Sequence, residues 1–170
     1  MTMSMYSASV PVFNRMLTNL SYFLDKAQAN ATARNFDVNV LATDRLAPDM
    51  LNFCFQVRIA CDAAKLTFAR VGGLDAPKFE DNETTMAQLK ERIQKTLAFI
   101  ATVKPEDMNG KEDMSVTFPA GKDKTRTLSG EDYLKHWATP NVYFHVTTAY
   151  NILRHNGVDL GKIDFLLGQG

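Results

Sequence analysis

Residues 48–71, PDMLNFCFQVRIACDAAKLTFARV, decide the fold. Turned at about 100° per residue, this run gathers Arg58, Asp62 and Lys65 into one narrow seam and is apolar or small almost everywhere else around its circumference. Such a stretch is a helix, from about Pro48 to Val71, that other helices must surround. The seam is expected to face water, with Asp62 paired to Arg58 or Lys65 at helical spacing.

The flanking sequence supplies those other helices. Pro11 suits a first helical turn, and Phe13, Met16, Leu17, Leu20, Phe23, Leu24 and Ala27 then recur every three or four residues. A polar stretch from Ala29 to Asn39 ends this helix, and Asp44, Pro48 and Asp49 announce the second. Gly72 and Gly73 close the second helix, and Pro77 makes the following connection extended. Thr85 with Gln88 reads as a capping box for a third helix carrying Met86, Leu89, Ile93, Leu97 and Ile100, ending near Val103. SVTFPAGKDKTRTLSG, residues 115–130, alternates and turns like a short β-hairpin that must dock on helices to be stable. Ser129 starts a short helix holding Tyr133, Leu134 and Trp137, which Pro140 is expected to end or kink. A last helix runs from about Asn141 to Arg154, and an apolar tail with Ile163, Phe165 and Leu166 folds back. The expected fold is mainly all-α: a single domain over 1–170, a four-helix bundle with at least one crossover connection and a β-hairpin inserted before the last helices.

Composition narrows the function. Apolar residues make up 45% and charged residues 22% of the 170, a globular rather than disordered profile. Nineteen basic residues balance nineteen acidic ones, so there is no general attraction to phosphate, and a nucleic-acid partner is not expected. No window is apolar enough to cross a bilayer, and MTMSMYSASV lacks the features of a signal peptide, so a cytoplasmic protein without membrane association is expected. Cys54 and Cys61, about 10 Å apart along one helix, are too distant for a disulfide and read as free thiols that serve as small, partly buried packing residues on the shoulder of the seam. Phosphate loops, C-x-x-C pairs, G-x-S-x-G elbows and H-E-x-x-H motifs are all absent.

Candidate site residues are the polar groups that point inward. Gln56 falls roughly 160° around the helix from Arg58, beside Ala60, Ala63 and Thr67, and must be satisfied there by hydrogen bonds. On the last helix Thr147, Asn151 and Arg154 mark the wet side, which turns His145 and, at the edge, Asn141 toward the core. His136 and His155 read as surface residues. Glu83 is a carboxylate near a helix start, and Tyr143 and Tyr150 lie on one flank of the last helix.

The runs TPNVYFHVTTAYNILRHNGV, FQVRIACDAAK and APKFEDNETT resemble a bacterial and fungal family of unknown function placed within the DinB-like superfamily of four-helix bundles, over nearly the whole chain. Many members of that superfamily hold a divalent metal, usually nickel or zinc, on one histidine of the second helix and an H-x-x-x-H pair on the last. Some are thiol-dependent transferases or isomerases. Carried onto this chain, the resemblance puts His145 at the end of the pair, Asn141 in place of its partner and Gln56 in place of the third histidine, so one ligand of three is retained. Two functions are then expected in competition. One is an altered metal-dependent enzyme with His145 as general base or metal ligand in a pocket completed by Gln56, Asn141, Glu83 and Tyr150. The other is a non-enzymatic bundle, without metal, that binds a small molecule or forms a homodimer.

Overall fold

A computed structural model describes residues 3–169; the ends of the expected domain, Met1, Thr2 and Gly170, lie outside it. Four long helices form the body: α1 (Val10–Ala33), α2 (Phe53–Gly72), α3 (Met86–Ile100), and a composite fourth helix. That fourth helix begins as α5 (Gly130–Tyr133), widens into a π turn (Leu134–Ala138) and continues as α6 (Thr139–His155). Between α3 and α5 come one turn of helix, α4 (Pro105–Met108), and an antiparallel hairpin of β1 (Ser115–Pro119) and β2 (Thr125–Ser129); α7 (Lys162–Leu167) ends the chain. Among the described residues no helix is long and apolar enough to cross a membrane.

Each element forms for a local reason. The Thr85 hydroxyl and the Gln88 side chain cap α3 reciprocally, as the sequence predicts. Helix α2 starts at Phe53 rather than near Pro48, because the Asn52 side chain accepts the Phe55 N–H and fixes the cap there. Gly73, at φ 68°, closes it in the left-handed conformation. Helix α1 runs through Ala33 and so takes in the first five residues of the stretch expected to end it. The hairpin pairs Val116 with Leu128 and buries Val116 and Phe118, with the Phe118 ring 4.9 Å from Tyr133 and 4.7 Å from Trp137.

Pro140 does not break the last helix. It sits in the first turn of α6, directly after the π turn, where the Thr139 N–H reaches back to the Leu134 carbonyl. The wider turn accommodates a residue that brings no N–H, and the Asn141 side chain donates to the Trp137 carbonyl at 2.8 Å.

The bundle has a crossover, as expected. Helix α2 packs on α6 and α3, and α1 packs on α3 and α6, while α1 and α2 touch only lightly across the diagonal. Cross-contacts fix directions. Phe13 packs against Phe68 with tilted rings, Gln56 meets His145 while Arg70 meets Tyr133, and Asp62 meets Arg92 midway along α3 while Gly72 approaches Asp107 beyond its end. Helices α2 and α3 are therefore parallel, and the chain between them must return along their length. Residues 74–85 do so as an extended strap, with Pro77 opposite Lys65 and Glu83 opposite Arg58.

Candidate functional site

The polar interior is built at two places on α2. On the face toward α6, Gln56 is 1% and His145 9% exposed, and His145 Nδ1 lies 2.8 Å from Gln56 Oε1. The Gln56 amide nitrogen donates to the Leu51 carbonyl at 2.9 Å, which turns Oε1 toward the imidazole. An amide oxygen only accepts, so Nδ1 carries the proton and Nε2 keeps its lone pair. Among the described residues Nε2 has no hydrogen-bond partner and is not sealed from solvent. Burial lowers the His145 pKa from 6.5 to about 4, so the ring is neutral at pH 7.

Of the residues expected around His145, only Gln56 hydrogen-bonds to it. Asn141 spends its amide on the Trp137 carbonyl. The Tyr150 ring packs between Phe23 and Phe165, and its hydroxyl donates to the Leu160 carbonyl at 3.4 Å. Glu83 is held on the opposite side of α2, at Arg58 and Arg92.

That opposite side is the second polar interior, and it corrects the expectation of a seam open to water. Arg58 and Lys65 are buried, at 9% and 6% exposure, because the strap lies over them. Arg92 of α3 is buried deeper still, at 2%. Its Nη2 holds Asp62 at 2.7 Å, and its Nη1 holds Asp81 at 2.5 Å and Glu83 at 3.0 Å. Lys65 pairs with Asp62 at 3.0 Å and donates to the Pro77 carbonyl at 2.9 Å. Arg58 donates to the backbone carbonyl of Glu83, and its Nε lies 2.9 Å from Glu83 Oε2 with the N–H aimed off the oxygen. The Phe79 ring covers both cations, 4.0 Å from Lys65 Nζ and 4.5 Å from the Arg92 guanidinium carbon. Burial alone would raise the Glu83 pKa, but the hydrogen bond from Arg92 and the charges of Arg92 and Arg58 outweigh it and hold the carboxyl below its ordinary value.

Sequence reading missed Arg92, although a signal was there: it falls three residues after Leu89 and one before Ile93, inside the apolar stripe of α3. An arginine in such a stripe needs carboxylates brought to it. The two thiols are more buried than expected and unpaired; burial raises both pKa values, that of Cys61 to about 12.

The donor set does not fit the metal that the resemblance implies. One imidazole and one carboxamide meet at Gln56 and His145, and the imidazole Nδ1 is already engaged. Among the described residues no group of three or more His, Cys, Asp or Glu side chains is placed to hold an ion. Nickel and zinc are bound well by imidazole and thiolate, and poorly by a neutral amide oxygen. Open cavities lie elsewhere, one of about 280 Å³ beside Phe79 and Arg92 and one of about 460 Å³ lined by Met5, Ala8, Leu134 and Lys135.

No curated protein matches the chain. The crystal structure of a DinB family member protein from Shewanella denitrificans, at 1.83 Å resolution, is 42% identical, covers 95% of this chain and 90% of that one, and superposes with a TM-score of 0.88. The model of the family described as domain of unknown function (DUF1993) matches residues 5–166. Matched over almost its whole length, and sharing the DinB fold with a relative at that identity, the chain belongs to the DUF1993 family.

Proposed function

We propose that this protein is a metal-free binding bundle of the DinB fold, in which Gln56 and His145 present one oriented hydrogen-bond acceptor in place of a metal centre. The observation that carries this reading is the Gln56–His145 hydrogen bond, with Gln56 itself anchored on the Leu51 carbonyl. Where the resemblance would put two metal ligands, a hydrogen-bonded neutral pair then stands, with Nε2 as its free acceptor. An imidazole with a pKa of about 4 takes up little proton at pH 7, so it serves better to accept a hydrogen bond than as a general base. Residues beside the pair in sequence are apolar and exposed: Leu51 at 46%, Phe55 at 42% and Phe144 at 58%. The ligand class is therefore a small, largely apolar molecule with one hydrogen-bond donor.

Metal analysis by mass spectrometry on tag-free protein, before and after soaking with nickel, zinc and manganese, tests this reading. The expected result is no stoichiometric metal and an Nδ1–H tautomer in the imidazole nitrogen spectrum. Stoichiometric metal that is lost in His145→Ala would restore the altered metalloenzyme as the better account. The exposure of Phe55 and Phe144 also favours a second copy as the bound partner. Sedimentation would then show a dimer that Phe144→Ser dissociates.

A further inference from the structure

Without the strap, the groove between α2 and α3 holds Arg58, Lys65 and Arg92 against the single carboxylate of Asp62. The strap brings Asp81 and Glu83, which neutralise it, and an aromatic ring, Phe79, which lies across two of the cations. This is how a basic groove holds an acidic ligand, with paired carboxylates on guanidinium groups and an aromatic face over the charge.

The fit is incomplete. Arg92 Nε is sealed from solvent with no acceptor, and the Arg58 Nε and Glu83 Oε2 atoms are close but misaligned. A guanidinium offers five donors in a planar fork, and a free carboxylate could take two of them side by side. Asp81 reaches Arg92 from a left-handed backbone, φ 56°, with its side chain still 56% exposed. The groove floor is charged, so uncovering it exposes groups that water solvates well, and the apolar residues of the strap, Leu74, Ala76, Pro77 and Phe79, are only half-buried. Beside it opens the cavity of about 280 Å³ lined by Phe79, Glu83, Gln88, Arg92 and Lys95.

We propose that the α2–α3 groove is a binding site for paired carboxylates, occupied in cis by Asp81 and Glu83 of the strap and open to an external carboxylate ligand that displaces them. The strap is then a built-in competitor, and weakening it must strengthen binding in trans.

The experiment uses the full chain and a fluorescent peptide with the sequence of residues 76–84, APKFEDNET, titrated against wild type and the Asp81→Asn/Glu83→Gln variant. Binding should be about tenfold tighter or more to the double variant, since the competent state is no longer suppressed by the occupant in cis. It should be lost when the peptide carries the same two substitutions, and when Lys65→Met is added to the variant protein. Hydrogen exchange in the same samples should show residues 76–84 opening faster in the variant while α1 and α6 keep their protection, which establishes that the variant is folded. Glu83→Gln alone serves if the double variant does not keep that protection. Citrate that displaces the peptide, or that protects the groove where the peptide does not bind, supports the site and assigns it to small polycarboxylates. A freed strap with neither peptide nor citrate binding, or equal binding to both proteins, overturns the proposal.

Discussion

The two polar interiors of α2 sit on opposite sides of one helix and solve the same problem differently. At Gln56–His145 two neutral groups meet in an apolar seam, and one hydrogen bond with one carbonyl contact satisfies the amide. Around Arg92 three cations and three carboxylates are gathered under an extended segment, and three polar atoms remain without a well-aligned partner. The neutral pair can be formed by two helices alone, whereas the ionic cluster needs a third element to close it. Removing one member should therefore cost more in the cluster than in the pair, because a charge left behind cannot be relieved as a neutral group can.

The largest effect should come from Arg92→Met, which takes from Asp62, Asp81 and Glu83 the buried guanidinium they share and leaves Asp62 only Lys65 and Glu83 only Arg58. A loss of about 3–5 kcal/mol in urea unfolding at pH 7 is expected; a loss no larger than that of Gln56→Leu would erase the contrast. Acid should separate the two regions next. Above pH 6.5 His145 is neutral both folded and unfolded, so it contributes nothing to the pH dependence. As pH falls toward about 4 the unfolded chain takes up a proton that the folded chain refuses, and stability drops by about 3 kcal/mol in all before the folded imidazole also titrates. Glu83 behaves with the same slope at lower pH. Its folded pKa is depressed, so its contribution is intact above the ordinary carboxylate range and is lost as pH falls through and below that range. A stability profile of His145→Gln should lack the upper phase and keep the lower one.

A smaller effect is expected for Gln56→Leu, which leaves the His145 Nδ1–H unpaired at a cost of about 1–3 kcal/mol. Adding His145→Leu should recover most of it, since replacing both partners removes the unsatisfied donor; failure to recover would mean that the pair is also held by packing. The smallest readout is chemical. Cys61, fully buried with its pKa pushed up to about 12, should resist iodoacetamide at pH 8 until the protein unfolds. Labelling in the native state would show that the helix pair carrying the ionic cluster opens more readily than its burial implies.

Much of this was legible in the residues. The helical repeat, the Thr85–Gln88 box, the Gly72–Gly73 close and the hairpin all follow from local rules, because caps, turns and periodicity act within a few residues. The inward turn of Gln56 and His145 was legible for the same reason, since a helix fixes side-chain direction at 100° per residue. Directions around Pro140 were not, because whether a proline breaks a helix depends on whether a π turn and a side-chain donor are at hand.

By itself the sequence determined a bundle of four amphipathic helices with an inward glutamine and histidine, because periodicity alone says which face of each helix leaves water. Only the tertiary structure decided what covers those faces. That α2 and α3 run parallel, so that the chain between them returns as a strap over Arg58, Lys65 and Arg92, is set by how four helices share one core. A seam of charges reads as wet until another part of the chain is laid across it, and pairing between residues 30 positions apart is invisible to a pattern that repeats every three or four.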